Sequence, residues 1–220
     1  MAGSVPGVVL AAGLFAGLPV LATDDDFSVY EADEARLRAV NAGDLQFLPD
    51  AADVPLQSDS RLRISAASLD SGWVALDQCQ RGLDAVEVAE IVYAYKELRN
   101  LEITERAGIG DAWVEGGSVQ LRGVRPQAHV CIRAQVRILR ADGNGGFRID
   151  SGPYHRRYLD GYFPLRLSLQ LVYPAGLLQW QGVDPPPRPG LQVDAGAGRV
   201  DIDARFTGRL TLHMRWRDLR

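Results

Sequence analysis

Residues 200–217 read VDIDARFTGRLTLHMRWR, and this stretch decides the fold. Val200, Ile202, Ala204, Phe206, Leu210, Leu212, Met214 and Trp216 share one parity. Asp201, Asp203, Arg205, Arg209, His213, Arg215 and Arg217 hold the other. A period of two marks a strand with one dry face and one wet face. A straight strand over that range would run roughly 56 Å, well past ordinary strand lengths. The chain must therefore bend or fold back at Thr207-Gly208. A two-residue hairpin there would set Phe206 opposite Arg209 and mix the faces. A bent strand, or a three-residue loop pairing Phe206 with Leu210, keeps every apolar side chain inside.

The same period recurs upstream. Leu62 and Ile64 alternate with Arg61 and Arg63, and Ile91, Tyr93 and Tyr95 with smaller or charged residues. Leu101 and Ile103 continue it, Val130, Ile132, Ala134, Val136 and Ile138 take even positions, and Leu165, Leu167, Leu169 and Leu171 take odd ones. Turn chemistry separates these runs at Gly116-Gly117, at Asp142-Gly143-Asn144-Gly145-Gly146, and from Asp184 to Gly190 with its three prolines. No fixed-period repeat is visible. The pattern predicts a mainly β domain over residues 60–220, a two-sheet antiparallel β-sandwich, with a partly open barrel as the alternative.

Residues 23–59 read as a helical extension and connector. Tyr30, Leu37 and Val40 form an apolar stripe, Glu34 and Arg38 an i,i+4 pair, and Gly43 can close a short helix over Tyr30–Ala42. Pro49 and Pro55 discourage regular structure between Leu45 and Asp59. Residues 1–22 carry no charge and contain an apolar run from Val8 to Leu18. Val20 and Ala22 are small residues at −3 and −1 of a cut after Ala22, which predicts a signal peptide and a periplasmic or secreted chain. Pro6, Gly7, Gly13, Gly17 and Pro19 interrupt the wider apolar stretch and argue against a membrane span, and no later segment is apolar enough for one.

Composition narrows the function classes. Of 220 residues, 46% are hydrophobic and 24% charged, enough apolar surface to fold without a staple. The net charge of −4, with signs mixed along the chain, excludes the basic stripe that nucleic-acid binding needs. Lys96 is the only lysine, and so general a preference for Arg reads as a coding bias.

Cys79 and Cys131 are the two cysteines. In an oxidising compartment they predict one disulfide closing a loop of about 50 residues. Cys131 has the opposite parity to Val130 and Ile132, so the bridge is expected on an outer face, unlike an immunoglobulin bridge. The alternative is a copper or zinc site from His129, Cys131 and Cys79 with His155 or His213, which the lone His-x-Cys spacing supports weakly. No cofactor motif is present. Asp142 to Gly146 is closer to a hairpin turn than to a calcium loop. Asp201 and Asp203 share a strand face, which does not make a pair flanking a cleft. No Gly-x-Ser-x-Gly elbow, His-Glu-x-x-His or phosphate loop occurs, so a small hydrolase would need a site assembled from distant residues.

The binding surface is placed at Tyr154, His155, Arg156, Arg157, Tyr158 and Tyr162, a loop following Gly152-Pro153. Aromatic rings offer platforms for sugar faces, and arginines offer forked donors for anions. The function read from the sequence is a non-catalytic binding or accessory module of a bacterial-type cell envelope. Its partner would be an envelope protein or an anionic glycan, met through Arg156 and Arg157 together without a role for either in stability. Intact-mass measurement of the exported protein, with and without reduction before alkylation, checks the first part. The expected chain starts at Thr23, with both thiols blocked until reduction. A full-length chain with two free thiols would contradict it.

Overall fold

The quoted stretch becomes two strands that lie in different sheets. The computed structural model describes residues 43–49, 56–158 and 161–220. The signal over residues 1–22 and the helix at Tyr30–Ala42 lie outside the described residues. Strand β14 (Arg199–Thr207) belongs to a large sheet that also contains β1 (Gln46–Phe47), β2 (Gln57–Arg63), β3 (Trp73–Leu83) and β4 (Val86–Val92). The same sheet holds β5 (Leu98–Glu115), β6 (Ser118–Arg137), β11 (Leu165–Val172) and β13 (Leu191–Gly196). Its order is β1-β14-β11-β2-β3-β6-β4, with β13 also on β14 and β5 also on β6.

Strand β15 (Leu210–Asp218) lies in a second sheet, ordered β12-β15-β8-β7, with β12 (Leu178–Asp184), β8 (Gly146–Tyr154) and β7 (Leu139–Ala141). A small hairpin of β9 (Arg156–Tyr158) and β10 (Gly161–Phe163) stands apart. Among the described residues one short helix, α1 (Ser68–Ser71), precedes β3. The fold is thus a β-sandwich, with neither sheet closed into a barrel. Among the described residues no helix is long and apolar enough to cross a membrane.

The bent strand is the form the chain adopts at Thr207-Gly208, and the bend carries it from one sheet to the other. Strands that switch sheets in this way make the corners of sandwiches. All eight apolar residues from Val200 to Trp216 stay inside, none more than 1% exposed. Gly208 holds φ at +85°, and a Cβ there would lie 2.0 Å from the carbonyl oxygen of Asp44. Arg209 donates its backbone N–H to Gly43 at 3.1 Å, so Gly43 and Asp44 clasp the corner.

Two features differ from the sequence reading. Strands β2 and β11 pair in parallel, from Gln57 opposite Arg166 to Arg63 opposite Val172, while the other pairs are antiparallel. About a hundred residues separate these strands, so no hairpin dictates their direction. The sheet also reaches back into the stretch taken as connector: Gln46 and Phe47 pair with β14, and Gln57 to Asp59 begin β2.

The long strands change parity part-way. On β6 the even positions Val130 to Val136 face the core, whereas nearer the Gly116-Gly117 turn the odd positions Val119 and Leu121 are fully buried. Register slips at Arg81/Leu83 and Ala107/Ile109 absorb the change. Gly108, at φ +70°, packs where a Cβ would sit 3.1 Å from Ala128. Slips of this kind re-aim a face and bend the strand. The distal β4-β6-β5 lobe thereby turns Ala89, Ile91, Val119 and Leu121 onto the same core as the rest of the sandwich.

Gly208→Ala is expected to cost at least about 3 kcal/mol, combining the left-handed penalty with the collision at Asp44. Gly143→Ala, also at positive φ but with open space around it, should cost about 1 kcal/mol. Urea unfolding of both variants checks this, and equal losses would mean the corner is not clasped.

Candidate functional site

The core of this sandwich is aliphatic along most of its length and polar at one end. Inward positions on β2 run Ser58, Ser60, Leu62, and those on β3 run Val74, Leu76, Gln78, Gln80. Ser58, Ser60 and Gln78 are buried. Gln78 Nε2 donates to Ser60 Oγ at 2.7 Å, and Gln80 Nε2 donates to Ser58 Oγ at 3.1 Å. Cross-strand bonds of this type satisfy polar groups that the interior would otherwise penalise.

A groove of about 490 Å³ opens onto this polar end. One wall is β4 with Tyr93 and Tyr95 behind it, and the other is the Gly152–Arg157 segment. The hydroxyls of Tyr154 and Ser151 lie 2.6 Å apart. Burial pushes the hydroxyls of Tyr93, Tyr95 and Tyr154 above the usual tyrosine range. These groups stay protonated and act as neutral donors and acceptors.

Of the residues singled out in the sequence, Tyr154, His155, Arg156 and Arg157 come together on the groove wall. Tyr162 stands outside the lining: its ring meets His155 edge-on at 5.7 Å between centroids and lies 5.9 Å from the Arg157 guanidinium carbon. Tyr158 pairs through its backbone with Gly161. The two arginines part company. Arg156, 15% exposed, holds Asp84 in a forked contact at 2.6 and 2.5 Å and lies over Phe163. Its Nε–H is buried with no acceptor among the described residues. Asp84 sits between β3 and β4, so this pair ties the two walls of the groove together. Arg157 is exposed. Arg156 thus has a counter-charge within the protein, whereas Arg157 presents its guanidinium at the surface.

Cys79 and Cys131 face each other across adjacent strands β3 and β6, their sulfurs bonded at 2.12 Å. The bridge lies on the outer-face parity, within one sheet. Bonded sulfurs offer no thiolates to a metal, and His129 turns to Glu105 at 3.0 Å. His213 pairs with Asp150 on the other sheet at 2.8 Å, and His155 is at the groove. Among the described residues no three metal-binding side chains cluster. Asp142 accepts backbone N–H groups from Asn144 and Gly146, making a hairpin turn. Arg199 holds the Asp201 carboxyl below the usual range, and Arg166 takes Asp203.

The serines and glutamines of the polar end were not recognised in the sequence. Their signal was present: Ser58, Ser60, Gln78 and Gln80 carry the same even parity as Leu62, Ile64, Val74 and Leu76.

Comparison with known proteins adds little. No family model and no curated protein matches this chain. Two crystal structures of an M1 zinc metallopeptidase from Deinococcus radiodurans, one a mutant bound to a substrate, align at 12% identity with TM-scores of 0.40 and 0.38. The alignments cover 78% of this chain and only 42% of the peptidase. At that similarity they carry no argument about this chain.

Asp84→Asn leaves a mostly buried guanidinium without its counter-charge and is expected to cost about 1–3 kcal/mol. Arg157→Ala should stay within about 0.5 kcal/mol of the parent. Denaturant unfolding of the two variants measures both, and equal effects would mean that Arg156 is not the clamp.

Proposed function

We infer that this chain is an exported, non-catalytic binding or accessory module of a bacterial-type cell envelope, periplasmic or secreted, and that its ligand enters the groove between β4 and Gly152–Arg157. The observation that carries the reading is the groove itself. Its volume of about 490 Å³ falls in the range of small-ligand sites, and it combines aromatic walls with a few converging polar groups. Tyrosines held protonated by burial can donate and accept hydrogen bonds, but they offer no base at neutral pH.

Export is supported by the cystine between Cys79 and Cys131, a bond that persists in oxidising compartments. An envelope glycan is favoured over a protein partner because the site is a recess, whereas stable protein interfaces need broad complementary surfaces.

Titration of the isotopically labelled protein with envelope glycan fragments, followed by amide NMR, tests the reading. Shifts should concentrate at residues 86–95 and 152–157. His155→Ala combined with Arg157→Ala should weaken binding about tenfold without lowering the melting temperature. Shifts confined to other surfaces, or none at all, would overturn it.

A further inference from the structure

We propose that the groove takes a neutral, hydroxyl-rich sugar unit rather than an anionic one; this rests on the groove being the binding site. The charges decide against an anion. Asp84, Glu90, Arg156 and Arg157 line the groove, so their formal charges cancel. Arg156 is spent on Asp84, and Glu90 accepts from Gln120 at 2.7 Å. An anionic ligand would therefore meet one available guanidinium, Arg157, at the exposed rim.

The polar end is built from groups that both donate and accept. Gln78 and Gln80 each give one N–H to a serine, which leaves each a second N–H and an amide oxygen. The hydroxyls of Ser58, Tyr95 and Tyr154 have the same dual character. Sugar hydroxyls, which also donate and accept, match such a surface, whereas a carboxylate or phosphate only accepts. The tyrosine rings supply the flat apolar surface that the C–H face of a pyranose needs. Ser58, Gln78 and Gln80 also occupy parity positions that hold apolar residues elsewhere on β2 and β3. Where local choice departs from core packing in this way, a site is the usual reason.

The test is calorimetric titration of the full exported chain with two panels. The neutral panel is maltohexaose, cellohexaose, chitohexaose and xylohexaose; the acidic panel is oligogalacturonate, alginate hexamer and heparin hexamer. At least one neutral member is expected to bind more tightly than every acidic one. Gln80→Leu and Ser58→Ala are each expected to weaken that binding about tenfold or more, with melting temperature unchanged or raised. Two variants are used so that loss of folding in one does not decide the matter. Preference for the acidic panel, or neutral binding that survives both substitutions, overturns the neutral-ligand proposal. If acidic ligands then shift residues 152–157, the groove remains the binding site. Absence of binding by either panel overturns both.

Discussion

One passage of chain sets the geometry of the whole domain: the crossing from β14 to β15 at Gly208. Eight apolar side chains on one parity must remain inside while their backbone leaves one sheet and enters another. A straight strand is too long for that, and a two-residue hairpin would turn one of the two arms outward. Only a residue free to hold φ at +85° beneath the Asp44 carbonyl lets the chain turn without changing face. The crossing also fixes the larger sheet through β11 and the smaller one through β8. The sandwich is closed by continuity of the chain as well as by packing.

From that frame the groove follows. β2 and β3 extend past the aliphatic core with Ser58, Ser60, Gln78 and Gln80 still pointing inward. The distal lobe bends at the register slips and brings β4 to that end. The Gly152–Arg157 segment, where the smaller sheet gives way to the β9-β10 hairpin, supplies the opposite wall. Arg156 and Asp84 hold the two walls in place with a forked ion pair in which the arginine is largely withdrawn from water. Rigid strands thus carry most of the lining, which favours a preformed site over one assembled by the ligand.

The sequence made visible what a period of two can express. β11, the core half of β6 and the β14-β15 stretch are half-buried strands, and their alternation survives intact. Parallel pairing of β2 with β11 left no trace, because a strand alternates in the same way whichever direction its neighbour runs. The parity change near Gly108 hid how the distal lobe joins the core, since alternation counted across a slip cancels itself. The loop at Tyr154–Arg157 was legible from its Gly-Pro start and aromatic content, yet nothing local marked Arg156 as the partner of Asp84, 72 residues away. Ser58 and Gln80 were hidden for a subtler reason. Polar residues at core positions lower the hydrophobic contrast, so the beginning of β2 merged into a Pro- and Asp-containing connector.

The central claim is that the polar end of the core exists to hold a ligand. The most direct measurement is a crystal structure of this chain grown with the tightest-binding neutral oligosaccharide. A sugar ring among Tyr154, Ser58 and Gln80 is predicted, with its hydroxyls on the glutamine amides. Sugar bound elsewhere on the surface, with the groove occupied only by water, would contradict the account.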